Sequence, residues 1–375
     1  MFFTVSTLLT AAALAAVRLP AAEPGGPRLR DVFTAGQDGY PAYRIPALLA
    51  TRNGTLLAFA ESRAHLRDHA ENDIVLKRSL DRGTTWGPLQ VVAEDGTNAL
   101  NNPTAVQLQP TARILLFYQR YAKGFDEHRA EPGLSGPRIC RTFVIHSDDD
   151  GKTWVDARDI TASVKRPDEV TSTASGPGIG IQLQRGPRSG RILIPFNQGP
   201  YGRWKVYATF SDDGGDTWRY GETAPDPSPG FANEVQFVEL PDGAVMLNAR
   251  NQAGPKARKV GISHDGGETW TALHAEPALP EPACQASILR HALSPTQDAF
   301  IFSNPASVYQ RTNGTIRLSR DEGKTWSTGR VLYPGSFAYS CLASLPDGSV
   351  GCLFERDGYT NITFARFSVD WVSGK

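Results

Sequence analysis

Cysteine is scarce in this chain: there are four, Cys140, Cys284, Cys341 and Cys352, and no two show C-x-x-C spacing. A thiolate zinc site is therefore not expected. Cys341 and Cys352 flank an expected hairpin. Turn symmetry about Pro346–Ser349 pairs 341 with 354 and 343 with 352, so a bridge between them is not favoured, and the thiols read as small buried hydrophobes. Net charge is also missing, with 39 basic residues against 39 acidic ones. No global field draws nucleic acid or an anionic membrane, and any preference for an anion must come from local placement of cations. An apolar run long enough to cross a bilayer is absent too: Phe2 to Val17 falls short of the roughly 20 residues a span needs. With Ala21 to Gly25 behind it, that run reads as an export signal over residues 1–24, although no Lys or Arg precedes Arg18. The expectation is a secreted protein, periplasmic or extracellular, with one domain over residues 25–375 and a monomeric state. No helical periodicity of useful length is found. Hydrophobic residues make up 40% of the chain and charged ones 21%, enough to bury a large core, so disorder is not indicated.

What is present is a repeat. The pattern S-x-D-x-G-x-T-W occurs at Ser79–Trp86, Ser147–Trp154, Ser211–Trp218, Ser263–Trp270 and Ser319–Trp326, with starts spaced by 68, 64, 52 and 56 residues. The residue types describe a hairpin turn: the Asp carboxylate accepts backbone N–H groups, the Gly supplies positive φ, and the Trp packs over the turn. A calcium loop would need alternating oxygen ligands and a terminal bidentate Glu, which are absent, so no metal or cofactor is expected. Around the first copy, Ile45–Thr51, Thr55–Ser62, Asp73–Arg78 and Leu89–Ala93 read as four short strands with the repeated turn between the third and fourth. Later units start near Pro103, Gly178, Asn233, Gln285 and Tyr339, and Leu29–Thr34 is free to complete the outer edge of the last. The expected fold is all-β, a six-bladed β-propeller of four-stranded antiparallel blades.

That topology narrows where chemistry can lie. If the repeated turns mark one rim, functional residues belong at the other, at first-strand starts and in the loops between second and third strands. Arg44 precedes the first strand of the first unit, and Arg63 and Asp68 sit in its two–three loop. Glu234 starts a first strand and Arg250 ends the strand after it. Arg311 lies in a two–three loop, Tyr339 opens the last unit and Glu355 ends its second strand. Any one of these alone would be an ordinary rim residue. Several arginines at one mouth repel one another unless an anion or carboxylates offset them, and such a cluster suits bidentate recognition of a carboxylate or phosphate.

The motifs resemble those of the bacterial and animal exo-sialidase family: Arg44-Ile45-Pro46, the five turns known there as Asp boxes, Ser175 to Gly180, Asn233-Glu234 with Arg250 sixteen residues on, and Tyr339-Ser340 with Glu355 sixteen residues on. The resemblance runs from Tyr43 to about Phe367. It implies a retaining exo-α-sialidase acting on terminal sialic acid of a sialylated glycan. Arg44, Arg250 and Arg311 would grip the sugar carboxylate, with Glu355 orienting Arg44. Tyr339 would be the nucleophile, Glu234 its base, Asp68 the general acid/base, and Arg63 a contact near the 4-hydroxyl. Glu71, Asp73, His65 and His69 lie close enough to Asp68 to compete for its role. Asn101-Asn102-Pro103 matches a motif near the N-acetyl pocket, and the insertion Tyr121–Arg138 is expected to roof the site. A trans-sialidase or an anhydro-forming sialidase would keep the same set, and a non-catalytic glycan-binding propeller is the rival from another class.

Overall fold

The computed structural model describes residues 25–375, so the expected export signal over 1–24 lies outside the described residues. The chain is all-β, with two short helices at Thr161–Val164 and Val369–Ser373. After β1 (Arg28–Thr34) come β2 (Ala42–Ala50), β3 (Leu56–Arg63), β4 (Asn72–Ser79) and β5 (Gln90–Ala93), paired antiparallel in that order. The same meander recurs in β6 (Ala99–Gln107), β7 (Ile114–Tyr121), β8 (Arg141–Ser147) and β9 (Val155–Asp159). The next first strand is broken. β10 (Thr173–Ser175) and β12 (Ile181–Gln182) both pair with β13 (Ile192–Gln198), while β11 (Gly178–Ile179) between them runs parallel to β6. β14 (Lys205–Ser211) and β15 (Arg219–Tyr220) follow. β16 (Phe231–Glu239), β17 (Val245–Gln252), β18 (Ala257–Ser263) and β19 (His274–Pro280) form a separate sheet. In the last sheet β20 (Ser287–Ser294), β21 (Gln297–Pro305), β22 (Thr312–Ser319), β23 (Arg330–Ser344), β24 (Val350–Arg356) and β25 (Asn361–Phe367) lie side by side, and β1 adds at the β25 edge as expected.

The repeated turns lie where the pattern puts them, after β4, β8, β14, β18 and β22. In the first, Ser79 Oγ donates to Asp81 Oδ1 at 2.8 Å and accepts Gly83 N–H at 2.8 Å. Thr85 gives its amide to Oδ1 at 2.9 Å and its hydroxyl to Oδ2 at 2.6 Å. The turn glycine has φ near +85° and no room for a side chain: a Cβ on Gly83 would enter the Phe364 ring of β25. At the equivalent positions Gly151 meets Leu57, Gly215 meets Leu115, Gly267 meets Ala208 and Gly323 meets Met246, at 2.8–2.9 Å. Each turn is thus plugged by a side chain from another meander, and Trp86, Trp154 and Trp218 pack edge-on against Phe364, Phe59 and Phe117 in the same way. These turns join one meander to the next.

The Thr85 hydroxyl and amide pull the Asp81 carboxyl down to about 2. A carboxyl lowered by folding adds stability that is complete above its unfolded pKa of about 4 and is lost as pH falls toward the folded value. Asp81→Asn is therefore expected to lower the melting temperature at pH 7 by about 2 °C, the modest size fitting an exposed group. Melts repeated at pH 2.5, just above the folded value, should show the gap cut to roughly a third, and a gap of equal size at both pH values would contradict this reading.

Several details differ from expectation. Arg44 lies inside β2, paired with Glu61, and does not precede the strand. β23 is one continuous strand: its first half pairs with β22 and its second with β24, so Tyr339 lies inside a strand instead of opening one. Arg63 is the last residue of β3, paired with Asn72, and is not in the loop that holds Asp68. The hairpin after β23 closes through Leu345 N–H to Ser349 O and Gly348 N–H to Leu345 O, a five-residue turn. Its register pairs Leu342 with Cys352 and Cys341 with Leu353. All four cysteines are free and buried. Among the described residues no helix is long and apolar enough to cross a membrane.

Candidate active site

Four first strands carry a β-bulge at the same place. The register jumps between Arg44 and Ala47 in β2, Asn101 and Thr104 in β6, Ala232 and Val235 in β16, and Phe337 and Ser340 in β23. The bulged residues include Ile45, Asn102, Glu234 and Tyr339. A bulge leaves an extra residue unpaired and re-aims its side chain, which brings these positions to one mouth.

There the three arginines gather around Tyr339. The guanidinium carbons of Arg44 and Arg311 stand 5.3 and 5.4 Å from the centre of its ring, and Arg250 Nη1 donates to its oxygen at 3.2 Å. The Tyr339 hydroxyl donates to Glu234 Oε1, and Arg250 Nη1 reaches the other oxygen, Oε2, at 2.8 Å. Glu355, with no exposed surface, accepts Arg44 Nε at 2.6 Å, Ile45 N–H at 2.9 Å and Tyr339 N–H at 3.1 Å. One carboxylate therefore ties the bulge of β2 to the bulge of β23, and it holds Ile45 at φ +58°, a conformation a β-branched residue seldom adopts. Burial pushes the Tyr339 phenol well above its usual range and Glu234 adds to this, while Arg250 and Arg311 pull the other way. The resting phenol is neutral. Burial disfavours the Arg44 charge, but Glu355 outweighs it and raises its pKa. Glu355 thus balances Arg44 and Glu234 balances Arg250. Arg311 meets only Tyr359 Oη at 3.2 Å and Ala283 O at 3.4 Å, with no carboxylate partner among the described residues.

Asp68 lines the same cavity with its side chain 67% exposed and accepts Arg63 Nη1 at 2.7 Å. The same guanidinium is gripped from behind by Glu61, which also accepts Asn102 N–H at 2.7 Å and Asn101 Nδ2 at 3.1 Å. Desolvation works to raise the Asp68 pKa, but Arg63 and then Arg44 outweigh it and hold it below the usual value. Of the competing residues, Asp73 is engaged by the Tyr40 hydroxyl and Glu71 pairs with Lys123. His65 does not line the cavity; His69 does, with its ring edge-on to Tyr121 at 4.3 Å. Burial lowers the His69 pKa to about 4, so it is neutral near pH 7. Among the described residues no group of His, Cys, Asp and Glu is arranged to hold a metal ion.

Residues 54–352 match the family described as BNR repeat-like domain. The chain is 37% identical to a sialidase of Micromonospora viridifaciens over 99% of its own length. It belongs to the sialidase family. It spans 58% of that relative and 61% of a Bacteroides fragilis sialidase to which it is 31% identical over 86% of its own length. Among solved structures it is similar to Hadza microbial sialidase Hz136, with a TM-score of 0.80 and 29% identity, covering 90% of this chain and 68% of that one. A leech intramolecular trans-sialidase shares the fold at a TM-score of 0.81 and 22% identity, covering 92% of this chain and 71% of that one.

In this sialidase-family chain the cavity has a volume of about 340 Å³, and its wall away from the arginines was not readable from motifs. The insertion does reach it, through Asp126, Glu127 and His128, and Asn101 and Asn102 line it as well. Asn197 near the end of β13, Gln252 at the end of β17, and Tyr201 and Trp204 from the loop after β13 also line it, with no repeat or spacing to betray them. Several buried polar atoms there lack partners: Asn101 Oδ1, Asn197 Nδ2, Trp204 Nε1 and Gln252 Oε1. Burial raises the Glu127 pKa to about 7, with Glu234 and Asp68 adding to the shift. Tyr359, between Arg44 and Arg311, was missed as well: the Arg44 guanidinium carbon lies 4.1 Å from its ring centre.

Proposed function

We propose that this protein is a retaining exo-α-sialidase that hydrolyses terminal sialic acid from sialylated glycans. The observation that carries the reading is the unit of Tyr339, Glu234 and Arg250, joined by hydrogen bonds beside a guanidinium, that of Arg311, which has no carboxylate partner among the described residues. An acid sugar supplies the missing anion. It also explains the nucleophile: a carboxylate would be repelled by the sugar's own carboxylate, whereas a neutral phenol can approach, and sialidases with a tyrosine nucleophile stand outside the usual two-carboxylate scheme.

The chemistry follows. Arg44, Arg250 and Arg311 bind the carboxylate and bring the anomeric carbon to the Tyr339 oxygen. The phenol oxygen bonds to that carbon as its proton passes to Glu234, while Asp68 protonates the departing glycosidic oxygen. Water then attacks the same carbon and gives a proton to Asp68. The bond to Tyr339 breaks, and Glu234 returns the proton to the phenol oxygen. Two displacements retain configuration, and the fixed guanidinium groups favour charge developing in each transition state. With the carboxylate at the arginines, the rest of the sugar extends toward the far wall. There the unpartnered atoms of Asn101, Asn197, Trp204 and Gln252 suit its amide and hydroxyl groups.

The same reading takes the fold as a six-bladed propeller of four-stranded blades. The plugged turns support it, since each glycine is filled from the preceding meander and the first is filled from β25, as in a closed ring. Export, through the apolar segment within 1–24, belongs to this reading too.

The test is turnover of a fluorogenic α-sialoside followed by proton NMR. The expected first product is the α-anomer of free sialic acid, with no sialyllactose formed when lactose is added. No turnover on any sialoside would overturn the reading, a β-anomer first would overturn the double displacement, and sialyllactose would assign the chain to transfer.

A further inference from the structure

Behind the arginines, and outside the cavity, lies a fully buried ion pair that the proposed reaction does not use. Arg258 on β18 has no exposed surface, and its Nη1 donates to Glu281 Oε2 at 2.7 Å. The other contacts of the pair are specific. Arg258 Nε donates to Asn248 Oδ1 at 2.7 Å, and Nη1 also reaches Cys284 O at 2.7 Å. Glu281 Oε1 accepts the backbone N–H of Asn251, next in sequence to Arg250. The pair therefore joins the end of β17, which presents Arg250, to the segment Glu281–Gln285.

That segment touches the other site residues in turn. Ala283 O accepts Arg311 Nη2 at 3.4 Å. Cys284 packs in one cluster with Ile45, Ala338 and Tyr339. Gln285 binds the backbone of Ser340 in both directions, accepting its N–H at 3.0 Å and donating to its carbonyl at 3.0 Å. Four of these five consecutive residues, Glu281, Ala283, Cys284 and Gln285, thus contact Arg311, Tyr339 or the backbone beside Arg250 and Tyr339, yet none lines the cavity.

We propose that Arg258 and Glu281 are a positioning pair that fixes Arg250 and Arg311 at the spacing a sugar carboxylate requires. This rests on the reading of those arginines as the carboxylate grip. A buried ion pair is weak as a source of stability, because desolvation offsets its attraction, and apolar replacements of similar volume are often tolerated. Its directional contacts are what such replacements remove. Two like charges facing one ligand drift apart unless their supports are rigid, and a site loosened by an ångström binds poorly.

Two variants test it. Arg258→Lys keeps a charge opposite Glu281 but cannot reproduce the planar fork to Asn248, Glu281 and Cys284. The double variant Arg258→Met with Glu281→Gln removes both charges and leaves neither orphaned. In each, KM for a fluorogenic sialoside and the Kd for free N-acetylneuraminic acid are expected to rise about tenfold, with kcat within about threefold and the circular dichroism spectrum unchanged. Wild type and Arg311→Ala run alongside. If Arg311→Ala binds the free sugar as tightly as wild type, the carboxylate reading falls and the proposal with it. If Arg311→Ala loses binding while both pair variants match wild type, the positioning proposal alone is overturned. Unfolding of both variants also overturns it, the pair then being required by the fold as a whole.

Discussion

Tyr339→Phe is expected to lower kcat on a fluorogenic sialoside by about a thousandfold or more, while the Kd for free sialic acid stays within about threefold of wild type. The substitution removes one oxygen and little else. The ring keeps its packing on Ile45, Ala338 and Cys284 and still faces the guanidinium groups of Arg44 and Arg311. Glu234 keeps Arg250 as a partner, so no buried charge is orphaned. What disappears is the atom that bonds to the anomeric carbon and the proton that Glu234 accepts. The elevated phenol pKa fits this role: burial and Glu234 keep the proton on oxygen at rest, so no phenolate repels the incoming carboxylate. Activity within tenfold of wild type would remove Tyr339 from the chemistry, and an equal loss of sugar binding would mean that the oxygen serves the grip instead.

Much of this site was legible in the sequence, because the repeat is itself geometric information. Five copies of one turn fixed which end of each meander is which, and of the residues singled out at the opposite rim, Arg44, Glu234, Arg250, Arg311 and Glu355 meet around Tyr339 while Arg63 and Asp68 line the same cavity. The bulges were not legible. A strand interrupted for two residues keeps its composition, and only pairing reveals the break at Asn233 and Glu234 or at Ala338 and Tyr339. The continuity of β23 was not legible either, because a strand that runs through Pro334 and Gly335 and changes partners just beyond them leaves no mark in its composition. The far wall escaped because it is built from single residues, of loops such as Glu127 and Trp204 and of a strand end such as Gln252. Loop residues carry no period, so only packing can assemble them.

Asp68→Asn is expected to cost about 10²–10⁴ in kcat on a sialoside with a sugar leaving group and far less on one with an aryl leaving group, because a phenolate departs without a proton. The carboxyl also carries a pH signature. In the free protein Arg63 and Arg44 hold its pKa below the usual value despite partial burial, so the proton it must donate is scarce except in acid. The alkaline limb of kcat/KM, which reports the free enzyme, should therefore begin on the acid side of an ordinary carboxyl. A bound substrate brings a further negative charge to the cavity and displaces water, and both effects raise the Asp68 pKa. The corresponding limb of kcat, which reports the complex, should then lie at higher pH. Both limbs should vanish in Asp68→Asn. A limb that survives the substitution would point to another acid in the cavity, and Glu127, with its pKa near 7, is the group to replace next.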